Sequence, residues 1–253
     1  MPRERRSAEL PPPLPPERRT VGQAVAEAVR LYGSQFRRAL GLGLTVAVAN
    51  QLTIGRSRPA VALILVVAAP VFTFSFAYAT QLACRVRAPA RSWLVALVAG
   101  TLVFLPAALL FPWFAIASVL WLAFVGLAVP AAIVEGGGVG ASLRRGVELA
   151  RAGYLHAAGA FVTLAVLFYL TRSGLALVLR SQADNAVRTA LFLADTVIAP
   201  LFFLGAAIVY IDLDARLRSR AGRRKERDAD VSDAHDSDRE GRPNAARDPG
   251  TVA

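Results

Sequence analysis

From Ala39 to Ala215 the chain runs for 177 residues with only 17 charged side chains among them. The flanks, 1–38 and 216–253, hold the other 30 of its 47 charges in 76 positions. A soluble domain carries about a quarter charged residues throughout its length. An apolar middle of this extent between charged ends excludes an ordinary globular enzyme and points to the bilayer.

The apolar region divides into six segments, at 39–55, 60–83, 92–110, 113–134, 154–171 and 190–211. A crossing helix needs about 20 residues to span a hydrocarbon core of ~30 Å. The first segment is the shortest and carries Asn50 and Gln51. Pro70, Pro106, Pro130 and Pro200 fall inside segments, where a membrane bundle accommodates the lost hydrogen bonds.

Residues 1–19, with Pro11-Pro12-Pro13-Leu14-Pro15-Pro16 at their centre, have too little apolar surface to fold and are expected to be a disordered tail. The basic start is not followed promptly by an apolar run, so no secretory signal is expected. Thr20 to Arg38 reads as an amphipathic helix. Val21, Val25, Val29, Tyr32 and Phe36 recur at helical spacing, with Glu27, Arg30 and Arg37 away from them. Thr20 with Gln23 fits a capping box. Such a helix before a span is expected to lie flat at the membrane surface, with Tyr32 and Phe36 at headgroup depth. Residues 216–253 turn from basic to acidic, hold almost no large apolar residues, and are expected to be disordered. The membrane domain is thus 20–215.

Six crossings put both ends on one side. The ends plus the 84–91 and 135–153 loops hold 24 of the 29 Lys and Arg residues. The opposite side holds Arg56, Arg58, Arg172, Arg180 and Arg188. The positive-inside rule then makes both termini cytoplasmic. The net charge of +11 lies in these ends and loops, which predicts contact with anionic lipid headgroups and no nucleic-acid partner. Arginine supplies 28 of the basic side chains against a single lysine, a bias of GC-rich bacterial genomes; the expected location is a bacterial inner membrane.

An internal repeat is visible. Val21 to Gly41 aligns without gaps on Val139 to Gly159, with six identities in 21 positions. In both copies a basic amphipathic segment leads straight into a span, so the repeat would be parallel, about an axis along the membrane normal.

Catalytic chemistry finds no foothold. Gly136-Gly137-Gly138-Val139-Gly140-Ala141-Ser142 lacks the lysine of a phosphate-cradling loop and follows an apolar span, and reads as a hinge. His156 and His235 stand apart, and the lone Cys84 allows neither a disulfide nor a four-ligand zinc site. No serine has a plausible histidine and carboxylate to activate it. No enzyme activity, cofactor or metal is expected.

Two polar clusters are expected. Asp195 lies inside the last span near its outer end, where an unpaired carboxylate is costly. Arg172, or alternatively Arg188, is the nearest cation at that level, with Asn50 and Gln51 to complete the hydrogen bonds. This group is either a clasp between helices or a shallow outward-facing binding site. Glu135, Arg144, Arg145, Arg151 and Asp212 fall at the cytoplasmic interface. They either anchor the second amphipathic segment on the bundle or meet a substrate or partner.

Several short motifs go further. They are Val129-Pro130-Ala131 then Glu135; Gly138-Val139; Ser142-Leu143-Arg144-Arg145-Gly146 with Leu149 and Arg151; and the exit Tyr210-Ile211-Asp212-Leu213-Asp214-Ala215-Arg216. With Val29-Arg30-Leu31-Tyr32 and Phe36, they resemble the bacterial family typed as the membrane domain of glycerophosphoryl diester phosphodiesterases. The resemblance covers about 20–216. It implies an acidic residue closing the fourth span, a basic helix after it, and a last span leaving through a Tyr-x-Asp-Leu motif. Asp214 stands where that pattern favours arginine. Some relatives carry a separate catalytic barrel, which would need about 250 further residues. The resemblance therefore implies the membrane fold and not the activity.

The expected architecture is an all-α polytopic membrane helix bundle of six transmembrane helices plus two cytoplasmic-face amphipathic helices. The expected role is non-catalytic, in membrane organisation or as the membrane component of a complex with a membrane protein partner. The alternative is a small transporter or lipid-handling permease.

Overall fold

The computed structural model describes residues 14–240, and within α8 the side chains of 225, 226 and 228–240 are left aside. All regular structure among the described residues is helical. A 3₁₀ turn at Pro16–Arg18 precedes α1 (Val21–Ser34), α2 (Phe36–Thr53), α3 (Arg58–Cys84) and α4 (Ala90–Leu110). Then come α5 (Ala115–Val125), α6 (Ala128–Glu135), α7 (Val139–Val178) and α8 (Asp184–Glu240).

Five stretches are helical, long and apolar enough to cross a membrane: Arg58–Cys84, Ala90–Leu110, Ala115–Glu135, Val139–Val178 and Asp184–Arg224. The expected first span, 39–55, is not among them. Its helix α2 has 18 residues, about 27 Å at 1.5 Å per residue. Arg37 and Arg38 at one end and Asn50 and Gln51 at the other dilute its apolar character. Even so, α2 runs between the two ends of the bundle. Next to its start, Gln35 donates to the Leu82 carbonyl near the end of α3, and at its finish Gln51 donates to the Arg188 carbonyl near the start of α8.

The prolines are placed where the chain can bear them. Pro70, Pro106 and Pro200 sit within α3, α4 and α8. Pro130 falls in the first turn of α6, where its missing N–H has no intrahelical acceptor to lose, and the expected fourth span divides into α5 and α6 just before it.

The core is built from small residues. Ala69, Ala77, Ala96, Ala123, Ala157 and Ala206 are buried, interleaved with Phe76, Phe161 and Phe203. Phe76 and Phe203 join α3 to α8 at a centroid distance of 6.5 Å, and Phe161 meets Phe202 edge-on at 5.6 Å. Without a hydrophobic force between helices in lipid, close backbone approach supplies the attraction. A side chain on Gly43 of α2 would overlap the Thr196 carbonyl of α8. One on Gly100 of α4 would overlap the Thr73 methyl of α3 and come 2.8 Å from Val129.

Helix α1 starts with the expected capping box: the Thr20 hydroxyl accepts from the Gln23 N–H, and the Gln23 side chain accepts from the Thr20 N–H. Its docked face differs from the expected one. Ala24, Ala28 and Tyr32 are buried, with Ala24 and Ala28 against Ile208 of α8, while Val29 and Phe36 stay exposed. The apolar arc is wide enough to serve twice, one half on the bundle and the other outward. Tyr32 is therefore a packing residue, not a lipid-facing one. Its hydroxyl donates to the Val197 carbonyl at 2.7 Å, and burial pushes its phenol above the ordinary value, which keeps it a donor.

Both expected tail boundaries shift. Arg19, assigned to the loose N-terminal tail, follows the 3₁₀ turn and reaches α8. At the other end α8 continues through Glu240 instead of stopping at 215. As far as Arg227 the extension is rich in arginine, a good helix former, no proline intervenes, and the Asp214–Arg218 pair at 2.7 Å bridges one turn. The remainder of the expected tails, 1–13 and 241–253, lies outside the described residues.

Candidate functional site

Ionisable side chains gather at the two ends of the bundle. At one end, Asp195 is 1% exposed on α8. Arg172 of α7 donates to its carboxylate, and Asn50 of α2 donates to the same oxygen at 3.0 Å. Gln51 stands beside them and donates to the Arg188 carbonyl at 2.8 Å. Three helices distant in sequence are thus tied through one carboxylate. The sequence-predicted residues Asn50, Arg172 and Asp195 come together, Gln51 flanks them, and Arg188 contributes its backbone instead of its charge.

At the opposite end the residues expected as one cluster form two. In the first, Arg145 of α7 bridges Glu135 at the end of α6 and Asp214 of α8, each at 2.8 Å. The Tyr210 hydroxyl donates to the same Glu135 oxygen at 3.2 Å, and Arg218 holds the other Asp214 oxygen. The second centres on Asp212, which is fully buried. Arg19 donates to it at 3.1 Å, and His156 Nε2 approaches its other oxygen at 3.6 Å. Arg216 donates to the Arg19 carbonyl at 2.5 Å and lies 3.3 Å from His156 Nδ1.

Asp212 is therefore separate from Glu135 and Arg145. Successive acids two apart on a helix point about 200° away from each other, so Asp212 and Asp214 serve different neighbours. Arg144 pairs with Glu148 at 3.0 Å on the exposed side, and Arg151 is exposed and outside both groups. Arg19, His156, Tyr210, Asp214, Arg216 and Arg218 join these groups beyond the five residues expected there. Asp214 and Arg218 carried a signal in their four-residue spacing. Arg19 carried none.

The glycine run makes the tight turn between α6 and α7. Gly136 takes φ +68° just past the end of α6, and Gly138 caps the start of α7. Among the described residues no group of three or more His, Cys, Asp or Glu side chains is arranged to hold a metal ion. The chemistry these clusters support is helix-to-helix attachment: each carboxylate is matched to a guanidinium, while Asp195 Oδ1, Asp212 Oδ2, His156 Nε2 and Arg216 Nε are buried without a hydrogen bond among the described residues.

Comparison with protein families, curated proteins and solved structures finds no match to this chain.

Proposed function

We propose that the protein is a non-catalytic integral membrane protein, acting in membrane organisation or as the membrane component of a complex. The observation that carries this reading is the tiered use of charge. The described bundle spends its buried acids, Asp195, Asp212 and Asp214, on ties between helices at its two ends. Alanine and aromatic packing fills the space between those tiers.

Six crossings with both termini in the cytoplasm of a bacterial cell belong to the same proposal. Arg19 before α1 touches Asp212 and Arg216 near the middle of α8, where that helix leaves the packed bundle opposite Asp195, so the bundle is entered and left at one end. That favours an even number of crossings, with α2 joining the five longer stretches. The tail-side surface then meets the anionic headgroups of the inner leaflet. The proposed kinship with the membrane domain of glycerophosphoryl diester phosphodiesterases draws support from the same end. Its motif residues Glu135, Arg145 and Tyr210 adjoin one another across three helices.

The alternative, a small transporter or lipid-handling permease, is favoured by the repeat. In the gapless alignment Gln35 falls opposite Gly153. Both leave helical geometry, at φ −124° and ψ 26° for Gln35 and φ −163° and ψ 51° for Gly153. Each copy is thus a surface helix, a break and a longer helix. Purification in mild detergent, with identification of co-purifying proteins and lipids, separates the two readings. A partner protein in fixed ratio is the expected result. A stoichiometric soluble ligand without a partner protein selects the permease.

A further inference from the structure

An open groove of about 540 Å³ lies between the α3–α4 turn and the end of α6, outside both ion networks except for a shared wall. Arg87, Arg91, Ser92, Ile133, Glu135 and Gly136 line it. The shared residue, Glu135, has its charge answered by Arg145 and Tyr210. Arg87 and Arg91 are exposed and have no acidic partner among the described residues. The local charge is therefore positive and unspent.

Two further features aim at the same space. Helix α4 begins here with 21 residues and no side-chain cap, so the N–H groups of its first turn lack intrahelical acceptors. Independently, Ser92 is 2% exposed and its hydroxyl makes no hydrogen bond among the described residues. The residue lines the groove, so this hydroxyl without a protein partner is free to donate to a ligand oxygen there. Gly136 faces it. A Cβ there would sit 3.5 Å from Ser92 Oγ, and φ +68° suits glycine.

We propose that this groove binds a phosphate group. Guanidinium groups match phosphate oxygens in pairs, a helix N-terminus favours an anion, and a serine hydroxyl donates a further bond. These donors come from a turn, a helix end and a buried side chain, and so surround an oxyanion from several directions. A flat carboxylate would leave part of the set unused. The volume exceeds one bare phosphate and admits the group that carries it. The groove opens where the apolar helix α3 ends, the depth at which lipid phosphates lie. The phosphate comes either from an anionic lipid headgroup or from a soluble phosphate. The site stands whether the protein organises membranes or moves lipid.

The test uses the full chain in two arms. In detergent, delipidated protein is titrated with inorganic phosphate and followed by thermal stability. In nanodiscs of phosphatidylcholine with or without phosphatidylglycerol, retained lipid is read by native mass spectrometry. Stabilisation by inorganic phosphate alone assigns a soluble ligand; retention of phosphatidylglycerol assigns a headgroup. In the responding arm, Arg87→Gln, Arg91→Gln and Ser92→Ala should each weaken binding about tenfold, the loss of one charge-assisted hydrogen bond. Ser92→Ala should do so while the unliganded protein stays as stable as before, since the hydroxyl removed makes no hydrogen bond among the described residues. Arg144→Gln, an exposed arginine outside the groove, should leave binding unchanged. No response in either arm, wild-type binding by a folded Ser92→Ala variant, or equal weakening by Arg144→Gln would overturn the site.

Discussion

The two ends of the bundle use the same chemistry in opposite styles. At the end away from the tails one carboxylate, Asp195, serves three helices, and it is almost wholly shielded from solvent. At the tail side, four acids and at least four arginines share the work, several of them half-exposed. A single buried tie concentrates its energy in one place, because removing one member strands the other in a low-dielectric setting. A partly solvated network spreads it, because water and neighbouring charges stand in for a lost member. The Asp195 tie is brittle and the Glu135–Arg145–Asp214 group redundant, while the fully buried Arg19–Asp212 pair repeats the brittle style within the tail side.

The largest effect should come from Arg172→Gln, which strands Asp195 with Asn50 alone. A loss of about 3 kcal/mol is expected, measured by unfolding in mixed micelles. Asp195→Asn should also destabilise the protein, and the double variant should lose less than the sum of the two. Full additivity would show that the two residues do not act together, and the contrast between the ends would fall.

Arg145→Gln, with Glu135 and Asp214 both nearby, should cost less, about 1–2 kcal/mol. Here the sharper measurement is salt. Raising ionic strength to ~1 M shrinks the screening length to about 3 Å, so the difference between wild type and Arg145→Gln should narrow. The Arg172→Gln difference should hold. If both differences shrank alike, the Asp195 tie would be as solvated as the Arg145 group.

The smallest effect belongs to Arg144→Gln, which removes an exposed pair with Glu148 and should change stability by no more than about 0.5 kcal/mol. The lone Cys84, half-buried at the end of α3, assigns the sides. A membrane-impermeant maleimide should leave it unmodified in intact spheroplasts and react after the membrane is opened. Modification in intact cells would exchange inner and outer and reverse the proposed orientation.

The helices and the Asp195 tie were legible in the sequence for the same reason. Apolar runs of about 20 residues have few places to go, and a carboxylate inside one of them must find a cation at its own depth. Asp195 and Arg172 could be paired by counting residues from their helix ends. The docking of α1 could not. Its apolar arc is continuous, and periodicity alone does not say that Ala24 and Ala28 meet α8 while Val29 faces out. Small residues carry weak hydropathy yet win the contact because they let backbones approach. The split of the tail-side charges was equally hidden. It depends on how far α8 is rotated where it passes α7, and on a 3₁₀ turn that brings Arg19 to Asp212.

The close crossing of α2 and α8 at Gly43 carries a thermal consequence. Helices that meet in water are driven together by the release of water, and their separation brings a large rise in heat capacity. Here lipid tails, not water, would be displaced, and the contact is gained by fit between backbones. Pulling α2 from α8 within the bilayer should then absorb heat with little change in heat capacity. Stability against that step would fall steadily on warming, with no maximum near room temperature. Cold, which loosens a water-driven core, would tighten this one.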